Sequence, residues 1–186
     1  MSEIKNNTVA LIGMTGCGKS SVGRILAKKL GARLVDLDDV ISENHGEIKK
    51  IFAEQGEEAF RELEYGALHN VLTEKDGRLL VLSCGGGLVT YKKSRELLTG
   101  NTTVVWLRRS TDSVSKDPRV MERPPINGDI KNYDRLRRLR YPIYREAADF
   151  TFYNVFPQRA AANMIKKLFD GQIAEKSGEA GQDSTN

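Results

Sequence analysis

Gly13, Met14, Thr15, Gly16, Cys17, Gly18, Lys19 and Ser20 fill every position of the pattern GxxxxGK[ST]. The glycines let the chain curl until successive backbone N–H groups converge on phosphate oxygens. The helix that starts there adds partial positive charge at the same point. Lys19 is expected to reach the β- and γ-phosphates of a nucleotide, with Ser21 also on the nucleotide, and the Ser20 hydroxyl to meet a magnesium ion. The setting agrees with the letters. An apolar strand over 9–12 precedes the loop, and an amphipathic helix over 20–30 follows it, with Val22, Ile25, Leu26 and Leu30 on one face and Gly31 as the stop. The loop implies a nucleotide without naming a reaction.

In many proteins with such a loop, a second strand ends in an aspartate that helps hold the metal. Here the apolar run at 79–82 ends in Ser83-Cys84-Gly85-Gly86-Gly87, with no carboxylate. The acids stand one strand earlier, in Asp36-Leu37-Asp38-Asp39. If 34–38 is extended, Asp36 and Asp38 share a side, because strand side chains alternate with period two. One carboxylate could then hold the magnesium shell while the other takes a proton from a hydroxyl. Asp39 would be a helix cap or first-turn acid, and a helix capped by all three acids is the alternative. The three glycines are either a loose turn or a bare wall for a hydroxyl-rich ring, with Gly tolerating the φ that aims its N–H groups.

These residues need a scaffold, and 186 residues suffice for one domain with a real core. The chain is 39% hydrophobic and 29% charged, an ordinary globular balance. A net charge of +4 and a pI near 9.0 favour acidic partners without requiring nucleic acid. Cys17 and Cys84 lack CxxC spacing and a nearby histidine pair, which argues against structural zinc. No stretch is apolar enough for a signal peptide or a membrane span, so a soluble cytoplasmic protein is expected. A GTPase would carry an NKxD-type stretch, and a motor or transporter ATPase needs more chain; a small phosphotransferase fits.

The pattern alternates throughout. Strands are expected at 9–12, 34–36, 79–82, 103–107 and 150–153. Helices are expected at 20–30, 48–72 with a break near Gly56, 92–98, around Leu136, Leu139 and Ile143, and at 159–169. That order predicts an α/β three-layer sandwich, a five-stranded parallel sheet with helices on both faces. Residues 1–170 would form a single kinase domain with a mobile lid at about 108–128, and 171–186 a disordered tail.

The stretches GMTGCGKSSVGRILAKKLG, LVDLDDVI, IFAEQGEEAFRELE, CGGG, VVWL, RPP and RYPIYREAAD fall in the order and spacing of the shikimate kinases, over roughly residues 8–153. The chain resembles that family, and the resemblance implies a nucleoside-monophosphate-kinase type of fold. The implied activity moves the γ-phosphoryl group of ATP to the 3-hydroxyl of shikimate, with ATP and Mg²⁺ as cofactors. By resemblance, Ser20 and Asp36 support magnesium, and Asp38 binds a shikimate hydroxyl and serves as the base. Arg61 and Arg140 hold the shikimate carboxylate, and Gly85, Gly86 and Gly87 form the wall against the substrate. Arg123 closes over the transferring phosphate as a lid arginine, and with Lys19 and Asp38 makes the catalytic set. The expected partner is one small-molecule substrate, bound by a monomer with no nucleic acid or membrane.

Elementary chemistry agrees with these roles unequally. A carboxylate substrate calls for planar donors that grip two oxygens, which favours Arg over Lys. Arg61 stands among Glu57, Glu58, Glu62 and Glu64, where a solvated helix ion pair is an equally good reading. Arg140 ends a basic run from Arg135 through Arg137 and Arg138, most of which reads as surface charge. The family's adenine contacts have no clear match in Lys116, Arg119 or 154–157. Cys17 and Cys84 flank the site, so thiol reagents are expected to inhibit, with ATP protecting. A kinase for another hydroxy acid such as gluconate, a nucleoside-monophosphate kinase, and a non-catalytic nucleotide-binding regulator are the rival readings.

Overall fold

Thr8–Ile12 (β1) is buried along its whole length, and therefore reads as a continuous apolar run instead of an alternation. In the computed structural model, which describes residues 4–74, 77–111, 114, 116–121, 126–153 and 157–179, β1 lies at the centre of a five-stranded sheet. The other strands are Arg33–Asp36 (β2), Leu80–Ser83 (β3), Thr103–Arg108 (β4) and Phe150–Tyr153 (β5). Their order is β2-β3-β1-β4-β5, and every neighbouring pair is parallel. The chain steps to one side of β1 for β2 and β3, then to the other for β4 and β5. The end of β1 is thus the topological switch point, where ligands bind in open parallel sheets.

The helices are Lys19–Leu30 (α1), Leu37–His45 (α2), Ile48–Thr73 (α3), Lys92–Asn101 (α4), Pro118–Met121 (α5), Ile130–Ala147 (α6) and Gln158–Glu179 (α7). They cover both sheet faces. Val9 and Leu11 point to the side packed by Val22 and Leu26 of α1 and by Ile165 and Phe169 of α7. Ala10 and Ile12 point to the other, packed by Leu68 of α3, Leu98 of α4, and Tyr133 and Tyr144 of α6. This is the three-layer arrangement expected from the alternating pattern. No helix among the described residues is long and apolar enough to cross a membrane.

Three local features differ from expectation. Helix α2 was anticipated only at its start, from the acids that cap it: in LDDVISENH only Leu37 and Ile41 are buried, too few apolar positions to show a period. Leu139, expected on the apolar face of α6, is 61% exposed; Tyr133, Arg140, Tyr144 and Ala147 form the buried face instead. The last helix, expected over 159–169, runs on to Glu179. The break at Gly56 is present, with φ 83° and ψ 178°, a left-handed value that favours glycine. It lets the first part of α3 fold back so that Phe52 meets Phe60 at 4.5 Å between ring centres. Together with Ile41 and Ile51 these rings make a third, smaller core.

Candidate active site

The phosphate loop follows β1 directly. Gly13, Gly16 and Gly18 have φ of 142°, 75° and 96°, so the loop can be built only where these positions lack a side chain. Gly18 is the N-cap residue of α1, and Val22 N–H donates to its carbonyl at 2.8 Å. Lys19 folds back over the loop, its ammonium donating to Gly13 O at 2.9 Å and Met14 O at 3.1 Å. Cys17 and the Met14 side chain are buried, leaving Thr15, Gly16, Gly18, Ser20 and Ser21 along the cleft.

A second cation stands here that sequence reasoning missed. Arg109, just past β4, donates to Gly16 O at 2.9 Å and lines the same cleft. Its signal was faint, since 108–128 read as irregular and basic throughout. Val120 of α5 also abuts the loop: a Cβ on Gly16 would lie 2.5 Å from its Cγ2. Arg123 and the Pro-Pro step lie outside the described residues, as do 112–113 and 115 in the expected lid. Where the lid segment is described again, Gly128 N–H donates to Met121 O at 2.8 Å and Ile126 is buried. Lys116 is exposed.

The two aspartates come together, but not by strand alternation. β2 ends at Asp36, which is the N-cap of α2; its Oδ1 accepts from Asp38 N–H at 3.1 Å. Asp38 sits in the first helical turn, so the extended reading of 34–38 is corrected. Asp36 is both cap and site residue, because its Oδ2 accepts from Ser20 Oγ at 2.6 Å. Ser83, opposite Asp36 in the β2–β3 register, approaches Ser20 Oγ at 3.5 Å. The carboxylate absent from the end of β3 is supplied across the ladder by β2.

Arg61 is no surface ion pair. It is buried, its NH1 donating to Glu64 Oε2 at 2.5 Å and its NH2 to Glu57 Oε1 at 2.6 Å. Glu64 is deeper still, and burial pushes its carboxyl up to about 7 despite the Arg61 charge beside it. Sequence reasoning passed Glu64 over as one of several surface acids; its spacing of three from Arg61 on a helix was the available signal. Arg140 reaches the same place from α6, donating to Gly86 O at 3.3 Å. Tyr144, one turn on and fully buried, donates to that carbonyl at 2.5 Å.

The three glycines are needed for space, not for backbone angle. None of them has a positive φ, so the expected conformational reason is corrected. A Cβ on Gly85 would strike Glu64 Oε1 and lie 3.1 Å from Asp38 Oδ1. One on Gly87 would fall 2.5 Å from Arg61 Cζ, and one on Gly86 3.2 Å from Thr15 N of the phosphate loop. Gly86 is therefore a spacer between loop and acceptor wall, and its carbonyl rather than an N–H is what α6 holds. The two cysteines stand beside the phosphate loop, sealed from solvent. Cys17 and Cys84 are each 1% exposed, and burial pushes the Cys84 thiol far above its usual range, which makes it a poor nucleophile.

Two cavities result. One, of about 310 Å³, runs along the phosphate loop past Lys19, Ser20, Asp36 and Arg109. The other, about 70 Å³, is walled by Phe52 and Phe60 on one side and carries Arg61, Glu64 and Arg140. Thr15, Asp38 and Gly86 line both. A nucleotide-binding loop at the switch point, with a second cavity carrying two arginines against it, defines a P-loop phosphotransferase with a small acceptor.

The comparisons narrow this class. The sequence profile of the family described as Shikimate kinase matches residues 15–169. The chain is 37% identical over 178 residues to a shikimate kinase of Legionella pneumophila (strain Corby), covering 93% of this chain and 100% of that one. It is 42% identical over 141 residues to a shikimate kinase of Mycobacterium avium (strain 104), covering 74% of this chain and 78% of the relative. A solved structure described as shikimate kinase from Acinetobacter baumannii in complex with shikimate superposes with a TM-score of 0.81 at 31% identity, over 89% of this chain and 93% of that one. This chain belongs to the shikimate kinase family.

Proposed function

We propose that the chain transfers the γ-phosphoryl group of ATP to the 3-hydroxyl of shikimate, in chorismate and aromatic amino-acid biosynthesis. The observation that carries the reading is the position of Asp38, which lines the phosphate cleft and the arginine-bearing cavity at once. A carboxylate there can accept a hydrogen bond from an acceptor hydroxyl and take its proton as the phosphoryl group arrives. Transfer through a loose transition state asks chiefly for alignment and for positive charge on the phosphate oxygens. Lys19, the loop amides and Arg109 supply that charge, and Arg123 adds to it in the proposed lid.

The donors at the loop suit a hard divalent cation that keeps waters and takes phosphate oxygens. Ser20 Oγ and Asp36 Oδ2 are oxygen donors 2.6 Å apart, and no cluster of three His, Cys, Asp or Glu among the described residues could hold a metal unaided. Ser20 and Asp36 would hold Mg²⁺, which when bound offsets the charge of the β- and γ-phosphates. Arg61 and Arg140 would grip the acceptor carboxylate. We place the reaction in one cytoplasmic domain, residues 1–170, acting as a monomer.

A coupled ADP-release assay with ATP, Mg²⁺ and a panel of shikimate, gluconate and nucleoside monophosphates tests the assignment. Turnover on shikimate is expected. Turnover on gluconate or a nucleotide with none on shikimate would overturn it.

A further inference from the structure

Thr15 carries a hydroxyl for which the fold has no visible use. Among the described residues, four buried side-chain polar atoms lack a hydrogen-bond partner: Thr15 Oγ1, Ser94 Oγ, Trp106 Nε1 and Arg108 Nε. Of these residues only Thr15 lines the two cavities at the sheet edge, and it lines both. A buried hydroxyl without a partner is costly, so such a group in a native site points to something that completes it. Placement in the phosphate loop does not require a hydroxyl here. The loop's work at this residue is done by backbone, with Thr15 N against Gly86 and the lysine held by the neighbouring carbonyls.

Two ligands could complete it, and the composition of the cavities separates them. The phosphate cleft already holds Lys19, Ser20 and Arg109, donors enough for an anion. Among the described residues lining the acceptor cavity, the polar side chains are two arginines, two acids and Thr15. The arginines read a carboxylate and Asp38 accepts from one hydroxyl. Two side chains there can both give and accept a hydrogen bond with a second, neutral hydroxyl, Thr15 and the carboxyl of Glu64; Glu64 is held by Arg61, and Thr15 Oγ1 is the one without a partner.

We infer that Thr15 is a specificity residue for the acceptor, bonding the hydroxyl next to the one that Asp38 engages, so that the site selects carboxylates carrying vicinal hydroxyls. The inference rests on the acceptor-cavity reading above. Its test compares Thr15→Val, which keeps the shape and removes the hydroxyl, with Thr15→Ser, which keeps the hydroxyl. Thr15→Val is expected to raise the shikimate KM about tenfold, the loss of one neutral hydrogen bond. The ATP KM should stay within twofold, and Thr15→Ser should lie near the parent. An acceptor lacking the vicinal hydroxyl should lose about tenfold with the parent chain and nothing further with Thr15→Val.

An unchanged shikimate KM in Thr15→Val, or a rise that falls on ATP instead, would overturn the inference. Thermal melting of each variant excludes misfolding as the cause. Arg140→Ala, run alongside, separates the two layers of the argument. A raised shikimate KM there with none in Thr15→Val removes only the Thr15 role, whereas no rise in Arg140→Ala removes the acceptor cavity itself.

Discussion

The phosphate side and the acceptor side of this site are built on opposite plans. Most of the phosphate side comes from one continuous stretch, residues 13–21, whose backbone lines the proposed phosphate cleft and whose geometry is set by glycines at positive φ. Besides Thr15 of the loop and Ile126, the acceptor side draws on four separated segments: the start of α2, α3, the glycines after β3, and α6. Side chains predominate there: Glu64 and Glu57 hold Arg61, and Tyr144 holds the Gly86 carbonyl of the wall. A contiguous loop can be shared by many kinases, while an assembled wall can change its substrate by a few side chains. The division also sets the pattern of damage. Away from Thr15 and Asp38, which line both cavities, phosphate-side changes should act on the nucleotide and acceptor-side changes on the acid, and a variant that crosses the line breaks the comparison.

The largest split is expected from Arg140→Ala. Loss of a charge-assisted pair in a part-buried cavity should raise the shikimate KM by about 100-fold, with the ATP KM within threefold, by steady-state kinetics. Comparable rises in both would mean that the two sides are not separate. Arg109→Ala is the mirror experiment. It should raise the ATP KM about tenfold and leave the shikimate KM alone, since Arg109 touches the loop at Gly16 and lines only the phosphate cleft of the two.

The smallest effect concerns pH. Burial raises Glu64 to about 7, above the usual carboxylate range, so its protonated form is favoured in the folded chain. Its contribution to stability is therefore fully present below the unfolded value and fades as pH rises through about 7. Protonation also removes one of the two charges facing Arg61, with Glu57 keeping the other, and leaves the guanidinium freer for a substrate carboxylate. Between pH 8 and 6 the shikimate KM should fall a few-fold, and Glu64→Gln should flatten that slope while the ATP KM slope is kept. A slope unchanged in Glu64→Gln would place the titration elsewhere.

The same contrast explains what could be read from the sequence. The loop was legible because its residues are adjacent and its chemistry lies in glycine, lysine and serine at fixed offsets. The sheet was legible because β1, β3 and β4 are buried on both faces and so appear as plain apolar runs. Helix α2 was legible only as a start at its capping acids, since two buried positions in nine residues carry no period. Asp36 and Asp38 were found for a wrong geometric reason: a cap and a first helical turn brought them together. Arg61 could not be told from surface charge because sequence spacing does not show that Glu64 is buried behind it. Gly85 and Gly87 were found as a run, but their cause lies in Glu64 and Arg61, 21 and 26 residues earlier in the chain.

The central claim is that Asp38 stands where the two cavities meet and acts on the acceptor hydroxyl. Asp38→Asn keeps the shape and removes the base, and its effect is best measured as single-turnover rate beside equilibrium binding of each ligand. The rate should fall by about two to four decades, the scale of general-base loss, while ATP and shikimate bind within about threefold of the parent. A rate within threefold of the parent, or a loss that lies wholly in the binding of either ligand, would contradict the account.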